Sequence, residues 1–145
     1  MQLPDWAATW IGLPYKVRGR DLSLGGLDCW GFAALLTKRQ FGKEVPLWEG
    51  VGFTDTTDMF QSRKIAKELA LFMANHEDPW LAISPEKREV GDWILLRAIG
   101  FPIHVGVYVG GEWFLHIEHK TSSCASRLDS IEWRNRVIGY YRYVG

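Results

Sequence analysis

From residue 92 onward the chain reads in twos, and that period constrains its fold more than any other feature. Val105, Val107 and Val109 alternate with His104, Gly106 and Tyr108; beyond Gly110-Gly111, Trp113, Leu115 and Ile117 alternate with Glu112, Phe114 and His116. Side chains along a strand point to opposite faces in turn, so each run presents one apolar face. Segments 92–97, 104–109, 112–117 and 137–143, rich in β-branched and aromatic residues, are predicted strands.

The loop length between the middle two strands decides what faces what. A two-residue loop pairs Val109 with Glu112 and puts His104 and His116 on opposite faces. A three-residue loop, Gly110-Gly111-Glu112, pairs Val109 with Trp113. The second register gathers the three valines with Trp113, Leu115 and Ile117 on one wholly apolar face. It places His104 and His116 together on the other, with Gly106 between them and Tyr108 and Phe114 nearby. We therefore expect the three-residue register, which also sets Glu118 across from His104.

The first half reads differently. Asp28 caps a predicted helix at Cys29–Phe41, in which Phe32, Ala33, Leu35 and Leu36 recur at helical spacing, Lys38 and Arg39 close the last turn and Gly42 stops it. The helix should be mostly buried, with Cys29 exposed in its first turn. A short helix is expected over 4–11 with Trp6 and Trp10 on one side, ended by Gly12-Leu13-Pro14. A loop follows over 15–27. A further helix is expected over 57–75, with Ile65, Leu69, Phe72 and Met73 on one stripe. Helices first and antiparallel strands afterwards predict an α+β fold. With 145 residues, the chain suits a single domain over 1–145.

Charge narrows the partners. Seventeen basic residues balance seventeen acidic ones, which argues against nucleic acid. No run of 18 apolar residues suggests a membrane anchor, and the start lacks the basic-then-apolar pattern of a signal peptide. The expectation is a chain made in the cytoplasm, with Cys29 and Cys124 reduced.

The chemistry gathers at Cys29. A thiol attacks as thiolate, and a helix start carries partial positive charge that favours the anion. A histidine brought up by the sheet would serve as base, a third polar group would orient it, and the Cys29 N–H would donate to a developing oxyanion. His104 is the candidate base. His116 is the candidate orienting group, with Glu118 as a rival. A metal site from His116, Glu118 and His119 is not expected, because alternating strand positions diverge; no cofactor is implied. Cys124 reads as structural, His76 as a solvated helix end, and Gly91-Asp92 as a turn into a strand. Arg18, Arg20 and Asp21 are candidates to line a cleft.

Gly12-Leu13-Pro14-Tyr15, Asp28-Cys29-Trp30-Gly31-Phe32, Gly91-Asp92-Trp93, His104-Val105-Gly106-Val107-Tyr108 and His116, in that order, resemble the NlpC family of cell-wall cysteine peptidases. The resemblance implies a papain-like NlpC fold, with N-terminal helices packed on a C-terminal antiparallel sheet. It implies Cys29 as nucleophile, His104 as base and His116 as the third residue. Tyr15 would stand near the oxyanion site, and Asp28 would help bind a free amine of the substrate. The substrate implied is a peptidoglycan stem peptide, cut between D-glutamate and a diamino acid. One departure is Trp30, where the family usually has Ser; a bulky indole there would reshape the substrate subsite. The variant resembles relatives of phage tails and gene-transfer particles, which implies incorporation into a virion or tail-like particle with tail-tip proteins as partners. The alternatives are a structural tail-hub subunit with little or no activity, and an acyltransferase or amidase using the same Cys-His pair.

Overall fold

The computed structural model describes residues 2–16, 19–46, 80–98, 101–118 and 121–145. The expected helix over 57–75, and with it His76, lies outside the described residues, as do Arg18 and His119.

Helix α1 (Cys29–Phe41) has the predicted bounds. Its first turn leaves backbone N–H groups without intrahelical partners, and the Asp28 carboxylate accepts one of them, from Gly31, at 2.8 Å. Gly42, at φ 70°, closes the other end with its N–H on the Lys38 carbonyl. Asp28 is fully buried and ion-paired with Arg20. Arg20 lies on a two-residue strand β1 (Arg20–Asp21) that pairs with β2 (Gly26–Leu27), and this loop crosses the helix start at backbone contact. A Cβ on Gly31 would sit 2.1 Å from the Gly19 carbonyl oxygen, so no larger residue fits there. The expected short early helix is a 3-10 helix over Asp5–Trp10; six residues after Pro4 are too few to favour α-helical pairing.

The remaining strands are β3 (Trp80–Ile83), β4 (Trp93–Ala98), β5 (Phe101–Gly110), β6 (Trp113–His116), β7 (Cys124–Arg127) and β8 (Val137–Tyr143). They form an antiparallel sheet in the order β3-β8-β4-β5-β6-β7. The valine face of β5, with Leu115 and Ile117, packs on Cys29, Trp30, Phe32, Ala33 and Leu36 of α1. The opposite face is also covered: Ile94, Leu96, Tyr108, Phe114 and Tyr140 form a second cluster with Leu128 and Trp133 from the turns before β8. Hence the histidine-bearing face of the hairpin is buried too.

The hairpin has the expected pairing along its length, with Val107 opposite Leu115 and Tyr108 opposite Phe114. At its tip the register shifts, so that Gly110 and not Val109 faces Trp113. Positive φ at Gly110 and Gly111 accommodates this bulge and shortens the turn. Strands β3 and β7 were not predicted. Both are edges, and Cys-Ala-Ser-Arg offers no apolar alternation to read. Asp92 does more than make a turn: buried, it accepts the Glu89 N–H and pairs with Arg142 through two bonds of 2.7 and 2.9 Å, tying the entry of β4 to β8.

Removing the Asp28 carboxylate takes away both a helix cap and the partner of a largely buried guanidinium. Asp28→Ala should cost roughly 3–5 kcal/mol in urea unfolding. Asp28→Asn keeps a capping oxygen; an equal loss in both variants would assign the cost to the ion pair, a smaller loss in Asn to the cap.

Candidate functional site

Cys29 is the first residue of α1, where the helix meets β5. Contrary to expectation it is buried, at 3% exposure, because the helix start docks directly on the sheet beneath the 19–27 loop. The backbone N–H groups of Val105 and Trp30 favour its anionic form. The β5–β6 ladder begins at Val107 and Leu115 and runs toward the tip; Val105 lies beyond it, opposite Leu95 on the β4 side. Burial, and then the neighbouring Asp28 carboxylate, push the thiol well above its ordinary pKa; the two backbone bonds and Arg20 oppose the shift.

His104 immediately precedes Val105. Its Nε2 lies 2.8 Å from Nδ1 of His116, so the two histidines share a face and a hydrogen bond. Gly106 makes the approach possible: a Cβ there would meet the Phe114 ring at 2.9 Å and the His116 Cβ at 3.3 Å. The other nitrogen of His116, Nε2, lies 2.8 Å from Ser126 Oγ and 3.5 Å from Cys124 Sγ, both on β7. Trp133 stacks on His104 and meets His116 edge-on, and Phe114 lies against His116. Burial in this aromatic surround, with the positive charge of Arg136 beyond it, lowers His104 to about 4. Burial and then His104 push His116 well below its usual value.

These positions select among the alternatives. His116, not Glu118, takes the Nε2 of His104; Glu118 is half-buried, its pKa raised by burial and by Glu132. Nδ1 of His104 is then the ring nitrogen that His116 does not engage. Tyr15 is half-buried and bridges to Leu27 in the loop beside Asp28. Asp28 differs from an amine-binding carboxylate: it is inaccessible and committed to the cap and to Arg20. Trp30 likewise does not line a subsite. It is fully buried, its indole N–H donating to the Pro46 carbonyl and its ring set edge-on against Trp93 and Trp80. Arg20 pairs internally, and Asp21 caps the turn after β1. Among the described residues, no cluster of three or more His, Cys, Asp or Glu is placed to hold a metal. Ser126 and Trp133 escaped the sequence reading; neither sits in a periodic run.

Residues 12–142 match the sequence profile of the NlpC/P60 family. The chain belongs to the NlpC/P60 family. Among curated NlpC/P60 relatives, the Escherichia coli K12 protein named murein DD-endopeptidase MepS/murein LD-carboxypeptidase is 24% identical over 135 residues. That match covers 93% of this chain but 58% of the relative, so the chain spans little more than half the length of that protein. Solved structures share the fold. An NlpC/P60 protein from Bacillus cereus ATCC 10987 aligns with TM-score 0.63 at 22% identity, covering 99% of this chain and 42% of the other. The NlpC/p60 domain of peptidoglycan hydrolase SagA aligns with TM-score 0.56 at 19% identity, covering 94% and 92% respectively.

Both imidazoles are held neutral in the folded chain, whereas an unfolded histidine takes a proton near pH 6.5. Their depressed values therefore make stability fall as pH drops from about 6.5 toward 4, with the full contribution present above that window. The melting temperature should decline across this range before ordinary carboxylates titrate, and His104→Asn should flatten the decline. An identical slope in that variant would show that His104 is not the source.

Proposed function

We propose that the protein is a cysteine hydrolase that cuts amide bonds of peptidoglycan stem peptides, of the D-glutamyl–diamino acid type. Cys29 is the nucleophile, His104 its base and His116 the residue that orients the base. The observation that carries this reading is the 2.8 Å bond between the two histidines, on the hairpin against which the start of the Cys29 helix packs. The names of the Escherichia coli relative and of SagA support the substrate class.

The sulfur gives its proton to Nδ1 of His104 and attacks the substrate carbonyl. The Cys29 N–H, unpaired within the helix, is positioned to donate to the oxyanion, and Tyr15 lies in the neighbouring loop. The tetrahedral adduct collapses to a thioester as the amine leaves with the proton from His104, and water then releases the acid. The resting pair is a neutral thiol and a neutral imidazole, since burial raises one and lowers the other. Thiolate forms during attack and is not stored beforehand. Because Trp30 is in the core, its indole does not narrow the substrate cleft.

The buried, weakly acidic thiol is also the one feature that favours a structural role with little activity. Incorporation into a tail-like particle is a proposal from the sequence resemblance, probed by searching purified particles for the chain. Turnover separates the two readings. With muropeptides and mass spectrometry to follow amine release, the protein should cleave, and Cys29→Ala and His104→Ala should each lose about a thousandfold or more in kcat. Undiminished cleavage by Cys29→Ala would remove the thiol mechanism. No cleavage by the parent protein, together with stable binding to tail components, would establish the structural role.

A further inference from the structure

The hydrogen bond between the two imidazoles continues from the far nitrogen of His116 onto β7. We infer that Ser126 is a positioning residue that sets the tautomer of both histidines, so that His104 presents a bare Nδ1 to the thiol. The inference rests on the reading of Cys29 and His104 as nucleophile and base.

The argument is one of proton counting. The bond of 2.8 Å between His104 Nε2 and His116 Nδ1 holds a single proton, and each neutral ring carries only one. If the proton belongs to His104 Nε2, its Nδ1 is bare and can accept from a thiol. If it belongs to His116 Nδ1, His104 must carry its own proton on Nδ1, and the base is already occupied. The choice is made at the far nitrogen of His116. There Ser126 Oγ stands at 2.8 Å and Cys124 Sγ at 3.5 Å. A bare Nε2 has one lone pair: it can accept from one of these atoms while facing the lone pairs of the other. A protonated Nε2 donates toward both, and Ser126 passes its hydroxyl proton to Cys124 Sγ, 3.7 Å away. The arrangement thus favours a proton on Nε2 of His116, hence a bare Nδ1 there, hence a proton on Nε2 of His104. Oxygen is the nearer and stronger acceptor of the two, so Ser126 carries the selection and Cys124 supports it.

The position of Ser126 suits this role. It lies opposite Phe114 in the β6–β7 ladder, and Cys124 opposite His116, so both side chains reach the imidazole from one edge strand. Burial of the two rings keeps them neutral, which makes the tautomer, and not the charge, the variable that the serine controls.

The test uses the intact protein with 15N-labelled histidine. Nitrogen chemical shifts read the tautomers directly, and muropeptide kinetics run beside them. In the parent protein His104 and His116 should both carry their protons on Nε2. Ser126→Ala should move a measurable fraction of His104 to the Nδ1–H form and lower kcat about tenfold or more with KM unchanged. Ser126→Thr, which keeps the hydroxyl, should restore both readouts, and Cys124→Ala should produce the smaller change of the two. Unaltered tautomers in Ser126→Ala, or a larger change in Cys124→Ala, would overturn the assignment. A parent protein without turnover whose tautomers still respond to Ser126→Ala would sink the hydrolase reading and leave the assignment to Ser126 standing.

Discussion

The site depends on how the first turn of α1 is held against β5. Three things fix that junction. The Asp28 carboxylate, capping Gly31 and paired with Arg20, joins the helix start to the loop that crosses it. The lack of a side chain at Gly31 lets that loop approach to backbone contact. The backbone of Val105, on β5, then favours the anionic form of the Cys29 thiol. His104 is one residue away on the same strand, with its ring against Trp133 on the opposite face of the sheet. A short, buried, polar junction thereby sets the relation between a helix and a strand 75 residues apart in the chain.

Burial on both faces of the hairpin gives the site its electrostatic character. A half-exposed sheet would leave His104 and His116 solvated and near their ordinary pKa. Here Trp133, Phe114 and the neighbouring turns enclose them, so the protonated forms are disfavoured and the hydrogen bond between the rings is shielded from water. On the other face, burial between α1 and the valines raises the thiol. A low-dielectric surround strengthens any charge pair formed inside it.

How much of this was legible in the sequence follows from which contacts are local. The helix and both its caps were, because Asp28, the apolar spacing and Gly42 each act within one or two turns. The pairing of Val107 with Leu115 was, because only one register keeps the valine face apolar. The bulge at the hairpin tip was not, since Gly110 and Gly111 permit several turns equally well. The burial of Cys29 was also out of reach. A residue at a helix start is exposed or covered according to a loop and a strand distant in sequence, and nothing in its immediate neighbours records which. Trp133 and the β7 edge belong to stretches without a period, so their role around His116 emerges only from the assembled sheet.

The motif around the cysteine changes meaning once placed in the fold. From the resemblance, Asp28 and the residue after Cys29 were expected to face the substrate. Instead Asp28 is spent on the helix cap and on Arg20, and Trp30 fills the core, its N–H satisfied by Pro46 and its ring packed among Trp80 and Trp93. Trp93 in turn bonds Thr37 on the same helix at 2.9 Å. A serine at position 30 would leave a void between α1 and the sheet that the other two indoles do not fill. In this chain Asp-Cys-Trp-Gly is therefore a docking element: acid to cap, indole to anchor, glycine to admit the crossing loop. The cysteine is the member of the set to which the proposed function assigns the chemistry. On the proposed function, discrimination among stem peptides would come from residues outside the tetrad, and a change of specificity need not disturb the junction that holds Cys29.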